Sequence, residues 1–299
     1  MSGADQQPFG VRLEAGLQHR GKLCVGLDPH PEMLTEWGLG HNQAGLEAFG
    51  ARIIEAAASR VAVVKPQVAF YEAFGPEGLC ALATTIRQAK EAGLLVLADA
   101  KRGDIGSTMQ AYAQAWLNPA SDFGVDALTV SPFLGFGSLQ PAIELARHHG
   151  AGLFVLALTS NPEGREVQLA YHDDDGTGAG PVTVAEDIIR QTAAVNAIHA
   201  AQPPAGTAQG APLGSIGLVV GATTAHLAAD YGIDLTLGRP ALLAPGYGAQ
   251  GATAETLRRS FGPAWGQVLV NSSRQILEHG PEPRRLAAAI DSAQEDLSR

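Results

Sequence analysis

Two cysteines in 299 residues exclude a disulfide framework, and neither belongs to a CxxC pair or has a histidine at metal-ligand spacing. Cys24 and Cys80 sit in apolar surroundings, so both are expected as buried thiols in a reducing compartment. Basic residues are scarce: 20 Lys and Arg stand against 30 Asp and Glu, a net charge of -10. That balance excludes nucleic acid and anionic membrane as partners, since both need a basic face, but a phosphorylated small molecule could bind at a locally basic site. No apolar run approaches the length of a membrane span. The first ten residues, MSGADQQPFG, carry no basic stretch ahead of an apolar core, and a cytoplasmic protein is expected.

What the sequence does contain is rhythm. Eight short runs, nearly continuous in Val, Ile, Leu and Ala, recur with amphipathic stretches between them: LCVGLD (23–28), VAVVK (61–65), LLVLADAK (94–101), ALTVS (127–131), LFVLALT (153–159), IGLVVGA (216–222), ALLAP (241–245) and QVLVNSS (267–273). Runs without polar alternation are strands buried on both faces, and strands separated by helices form a parallel sheet. The intervening segments carry helix punctuation. Thr183 with Glu186 has capping-box spacing, Gly93 and Gly150 follow helical stretches, and Pro76 and Pro141 fall in first turns. Eight strand–helix units in this length predict a (β/α)8 TIM barrel in one domain over residues 1–299, with a doubly wound open sheet as the alternative. Two Gly-, Pro- and Ala-rich stretches, 172–181 and 201–212, are expected as surface loops within that domain. The acidic run Asp173, Asp174, Asp175 lacks the further ligand spacing of a calcium loop and is expected to be solvated.

In such a barrel, catalytic groups come from the C-terminal strand ends. Unusual polar residues gather there: Asp28 after strand one, Lys65 after strand two, Asp99 and Lys101 after strand three, Ser160 after strand five, Gln250 after strand seven and Arg274 after strand eight. Asp99 and Lys101 are two residues apart, so the pleat should point both side chains at the barrel mouth. Asp104 lies beyond the strand, in a turn, and need not point the same way. An isolated Asp-x-Lys reads as a structural ion pair, but convergence with Lys65 and Asp28 on neighbouring strands favours a working site.

These residues resemble the orotidine 5'-monophosphate decarboxylase family. LADAKRGDIGST matches its DxKxxD pattern, APGYGAQG is similar to its phosphate-gripping turn, and LDP, VKPQ, TSNPEG and NSSR fall in the family's order over roughly positions 23 to 276. The resemblance implies a cofactor-free and metal-free enzyme that converts orotidine 5'-monophosphate to uridine 5'-monophosphate in a homodimer with shared active sites. It implies that Lys101 is the cation and proton donor beside C6, with Asp99 close to the substrate carboxylate. Asp28 and Lys65 would hold the ribose hydroxyls and orient Lys101. Asp104, Ile105 and Thr108 would come from the second subunit, Ser160 would meet the pyrimidine amide edge, and Gln250 and Arg274 would grip the phosphate. Here the final arginine follows Ser-Ser rather than Gly, and Arg239, Arg258 and Arg259 are rival phosphate ligands. Two other functions share the architecture. Sugar-phosphate lyases and synthases use DxKxxD to hold magnesium, but need a carboxylate where this chain has Lys65. A non-catalytic phosphate-binding barrel would not need the intact Asp99, Lys101, Asp104 set.

Overall fold

The computed structural model describes residues 7–173, 180–200, 212–248 and 251–299. Eight strands close into a parallel barrel: β1 Leu23–Leu27, β2 Val63–Pro66, β3 Leu95–Arg102, β4 Ala127–Val130, β5 Gly152–Leu158, β6 Gly214–Val220, β7 Pro240–Pro245 and β8 Val268–Ser272, counting barrel strands only. All eight apolar runs are strands, displaced at most a residue or two at their ends. Closure is made by β1 on β8, with Leu23 opposite Val270 and Val25 opposite Ser272, which excludes the open sheet.

The strand pleat sorts side chains into two populations. Outward residues such as Val25, Val64, Val96, Leu128, Val155 and Leu218 pack beneath the helices in the larger apolar core. Inward residues Cys24, Val63, Leu97, Ala127, Phe154, Val219, Leu243 and Leu269 form a second cluster that fills the barrel. Two residues further along, the same parity delivers Lys65, Asp99, Thr129, Leu156, Pro245 and Asn271 to the open mouth.

The N-terminal end is sealed by a helix, Phe9–Arg20, that precedes the first strand. Phe9 and Leu13 insert into the inner cluster, Phe9 meeting Phe154 edge-on at 6.0 Å. Arg12 ties this plug down through Asp126 at 2.5 Å and the Gly150 carbonyl at 2.9 Å. Gly10 permits the close approach, because a Cβ there would lie 1.9 Å from the Leu213 carbonyl oxygen. With the bottom plugged, the barrel interior opens at its C-terminal mouth among the described residues.

The helix punctuation holds with one modification. Gly150 is a left-handed C-cap at φ 63°, Gly93 has φ 74°, and Pro76 and Pro141 stand in first turns. Thr183 Oγ1 accepts from Glu186 N at 3.1 Å, but the Glu186 carboxylate turns to Arg190 at 2.7 Å, so only half of the capping box forms. Cys80 departs from expectation. It is exposed, because helix Gly75–Glu91 buries the face of Gly78, Ala81, Leu82, Thr85, Ile86 and Ala89, and position 80 falls on the opposite side. Cys24 is buried as expected, and burial pushes its thiol up to about 12, leaving it protonated and inert. Of the loop at 172–181, Tyr171–His172 pairs antiparallel with Val182–Thr183 at its base. Asp174 and Asp175 lie outside the described residues, as does 201–211 of the second loop.

Candidate active site

A cavity of about 710 Å³ opens at the C-terminal mouth, lined by Asp28, Lys65, Asp99, Lys101, Ser160 and Arg274 among others. Six of the positions expected from the sequence are thus brought together from β1, β2, β3, β5 and β8. Gln250 lies outside the described residues.

Asp99 is the centre of the arrangement. Its Oδ2 accepts from Lys65 Nζ at 3.0 Å and from Gln67 Nε2 at 2.9 Å, and its Oδ1 accepts from Lys101 Nζ at 2.6 Å and Thr129 Oγ1 at 3.0 Å. Four donors on one carboxylate leave it no other rotamer. Burial pushes the Asp99 carboxyl upward, yet the Lys65 and Lys101 ammoniums outweigh it and hold Asp99 well below the usual carboxylate range. For Lys65 burial acts in the lowering direction, and the Asp99 and Asp28 carboxylates overcome it and keep the ammonium above its ordinary value. Both groups are therefore charged at neutral pH although Lys65 is 3% exposed.

Lys101 differs from Lys65 in what it faces. Its side chain is 48% exposed and lines the cavity, with Nζ resting on the Asp99 carboxylate. Its backbone breaks the regular pleat near the end of β3: φ is +48°, and the β3–β4 register shifts between Ala98 and Arg102. The expectation that a regular pleat aligns Asp99 and Lys101 is thus right in outcome and wrong in cause. A bulge, held by Lys101 N donating to Thr129 Oγ1 at 2.9 Å, turns the lysine back onto Asp99.

Several wall groups have no protein partner. Asp28 Oδ1, Asn271 Oδ1 and Ser273 Oγ are buried without a hydrogen bond among the described residues, and all three residues line the cavity. Orphaned polar atoms facing one cavity are complementary to a polar ligand. Arg274 begins the short helix Arg274–Leu277 beside them, exposed and without an ion pair among the described residues. The rival arginines are engaged elsewhere: Arg239 with Glu14 at 2.9 Å, Arg258 with the Leu297 carbonyl at 2.7 Å, and Arg259 with Glu255 at 2.5 Å.

Asp104, Ile105 and Thr108 do not line this cavity. Asp104 Oδ1 accepts from Ile105 N at 2.8 Å in the turn after β3, Ile105 is 62% exposed, and Thr108 faces outward. Sequence reasoning missed Gln67, Thr129, Asn271 and Ser273. Each has the inward parity of an identified neighbour, Lys65, Ala127 or Leu269, and that parity was the available signal.

A family model for the orotidine 5'-phosphate decarboxylase / HUMPS family matches residues 21–290. The chain is 52% identical to the orotidine 5'-phosphate decarboxylase of Streptomyces coelicolor over 285 residues, 95% of each chain. It is 53% identical to that of Nocardioides sp. over 270 residues, 90% of this chain and 92% of the relative. Its fold superposes on a crystal structure from Streptomyces avermitilis with a TM-score of 0.88 at 49% identity, covering 100% of this chain and 97% of the other. The OMP decarboxylase of Leishmania donovani aligns with a TM-score of 0.71 at 28% identity over 98% of both chains.

Proposed function

The chain belongs to the orotidine 5'-phosphate decarboxylase / HUMPS family and decarboxylates orotidine 5'-monophosphate to uridine 5'-monophosphate in pyrimidine synthesis; from that premise we propose how the barrel mouth does it. The carrying observation is the Asp99 carboxylate pinned by Lys65, Gln67, Lys101 and Thr129, of which Lys101 is the exposed donor.

Loss of CO2 breaks the C6–carboxylate bond and leaves its electron pair on C6, where no adjacent carbonyl can delocalise it. Lys101 stabilises that charge as it develops and passes a proton from Nζ to C6. The neutral amine then regains a proton from water. Asp99 lies close to the substrate carboxylate, and two anions ~4 Å apart repel by about 4 kcal/mol at an effective dielectric near 20. Because four donors fix it, Asp99 cannot swing aside, and the repulsion is relieved as CO2 departs. The pinned Lys–Asp array also favours the transition state directly, since its dipoles need no reorganisation when charge appears on C6.

Asp28 and Lys65 hold the ribose hydroxyls, Ser160 meets the pyrimidine amide edge, and Gln250 and Arg274 grip the phosphate, whose binding energy then serves to exclude water. Asp104, Ile105 and Thr108 serve the active site of a second copy in an isologous homodimer. Their outward placement and the neighbouring exposed Phe133 and Leu134 support that reading. The two free thiols fit a cytoplasmic enzyme.

Neither a metal nor a cofactor takes part. Both Asp99 oxygens are occupied by donors and Lys65 stands where a magnesium-dependent relative would need a carboxylate, so the donor set does not fit a divalent cation. Purified protein mixed with orotidine 5'-monophosphate and excess chelator should lose the orotate ultraviolet band at an undiminished rate. Unchanged absorbance would end the decarboxylase reading, and activity restored only by magnesium would replace this mechanism with a metal-dependent one.

A further inference from the structure

Two hydroxyls stand side by side at the end of β5, Thr159 and Ser160, and both line the cavity. They are not equivalent. Thr159 Oγ1 donates to Asn161 Oδ1 at 2.7 Å and accepts from Gln168 Nε2 at 2.7 Å, so its hydroxyl is used within the protein. Ser160 Oγ makes no hydrogen bond among the described residues and is the hydroxyl left for a ligand.

The group that creates this difference is Gln168, at the end of the short helix Gly164–Gln168. While its Nε2 donates to the Thr159 hydroxyl, its Oε1 accepts from Thr159 N at 2.9 Å. One amide thereby grips the backbone and the side chain of the residue that precedes Ser160. Two glycines press the same strand end from either side. A Cβ on Gly164 would lie 2.8 Å from Thr159 Oγ1 and 3.1 Å from Gln168 Oε1, and a Cβ on Gly221 would lie 2.8 Å from both Ser160 N and Ser160 Cβ. With β6 packed against one side and the Gln168 amide closing the other, the Thr159–Ser160 peptide has one position.

We propose that Gln168 is a positioning residue that sets the Ser160 hydroxyl for the pyrimidine edge of the nucleotide; the proposal rests on Ser160 making that contact. Gln168 lines the same cavity, and its hold on Ser160 runs through Thr159. Displacing a substrate-facing group by about 1 Å can cost up to ~100-fold in rate, so a loosened Ser160 is costly even when its hydroxyl is retained.

The test combines Gln168→Ala, Gln168→Glu, Ser160→Ala and the Gln168→Ala/Ser160→Ala double variant. Each is assayed for kcat/KM on orotidine 5'-monophosphate and for affinity toward uridine 5'-monophosphate and ribose 5-phosphate, which lacks the pyrimidine. Gln168→Ala should lower kcat/KM and uridine 5'-monophosphate affinity by about tenfold and leave ribose 5-phosphate affinity unchanged. The double variant should be no worse than Ser160→Ala, because a misplaced residue and a missing one lose the same contact. Gln168→Glu keeps an acceptor for Thr159 N and loses the donor to the hydroxyl, so it should fall between wild type and Gln168→Ala; it also decides the matter if the alanine variant does not fold. Wild-type behaviour of the Gln168 variants beside a damaged Ser160→Ala overturns the proposal. Equal loss of both ligands, or additive losses, does so too, since those mark a merely structural role. A Ser160→Ala protein indistinguishable from wild type would remove the pyrimidine assignment of Ser160, and the proposal with it.

Discussion

Lys101 Nζ lies 2.6 Å from Asp99 Oδ1, and the contact is made from a backbone at φ +48°. A left-handed non-glycine residue costs about 1–2 kcal/mol and persists only where its surroundings fix it. Thr129 does so from both ends, accepting the Lys101 N–H and donating to the Asp99 carboxylate.

The strain separates two roles of Lys101. Lys101→Ala and Lys101→Gly should both lose at least about 100-fold in kcat, the lower range for a general acid, while still binding uridine 5'-monophosphate. Lys101→Gly should nevertheless be the more stable of the two by about 1 kcal/mol, as glycine accepts positive φ. Equal denaturant midpoints would mean that the left-handed backbone relaxes in the variants. Parallel loss of binding and turnover would mean that Lys101 only holds substrate.

Asp99→Asn removes the counter-charge of a buried lysine and should destabilise the fold by about 3 kcal/mol or more at pH 7. The sign of the pH dependence follows from the lowered Asp99 carboxyl. Its contribution is present above the unfolded pKa of about 3.9 and is lost as pH falls from there through the folded value. The gap between wild type and variant, read from urea melts between pH 3 and pH 7, should therefore close toward the acid end. On the alkaline side, the raised Lys65 extends the stabilising range: its contribution is present below about 10.4 and fades only as pH rises through its higher folded value. A gap independent of pH would show that Asp99 is not ionised in the folded protein.

Arg274→Ala and Gln250→Ala should reduce kcat/KM on the nucleotide and barely change the slower reaction of the phosphate-free nucleoside. Arg239→Ala, whose side chain is paired with Glu14, should leave the kinetics on both substrates at wild-type level. Arg274 is the phosphate arginine only if the two substrates respond differently. Equal losses on both would reassign it.

Lys101→Ala and Asp104→Ala proteins, each inactive alone, should regain about one quarter of wild-type sites when unfolded and refolded together in equal amounts. In the mixed dimer one site collects both defects and the other collects neither. A mixture that stays inactive, with mixed dimers demonstrated by mass, would place Asp104 in its own subunit's site or outside catalysis.

The eight buried strands, and hence the barrel, were legible in the sequence, because apolar runs this short, rich in Val, Ile and Leu and alternating with amphipathic helical stretches, mark strands covered on both faces. It also determined that Asp28, Lys65, Asp99, Lys101, Ser160 and Arg274 share one mouth, since each ends a strand and all strands point the same way. Tertiary structure alone decided which donors pin Asp99. Gln67 and Thr129 are ordinary polar residues in their own segments, and only strand adjacency and register bring them to a carboxylate some 30 positions away. It likewise decided that helix Phe9–Arg20 plugs the barrel floor, that Cys80 faces solvent, and that a bulge rather than a regular pleat aims Lys101. Local patterns fix what a segment becomes, because periodicity is a property of neighbours along the chain. Which distant groups meet depends on closure of the sheet, and closure is a property of all eight strands together.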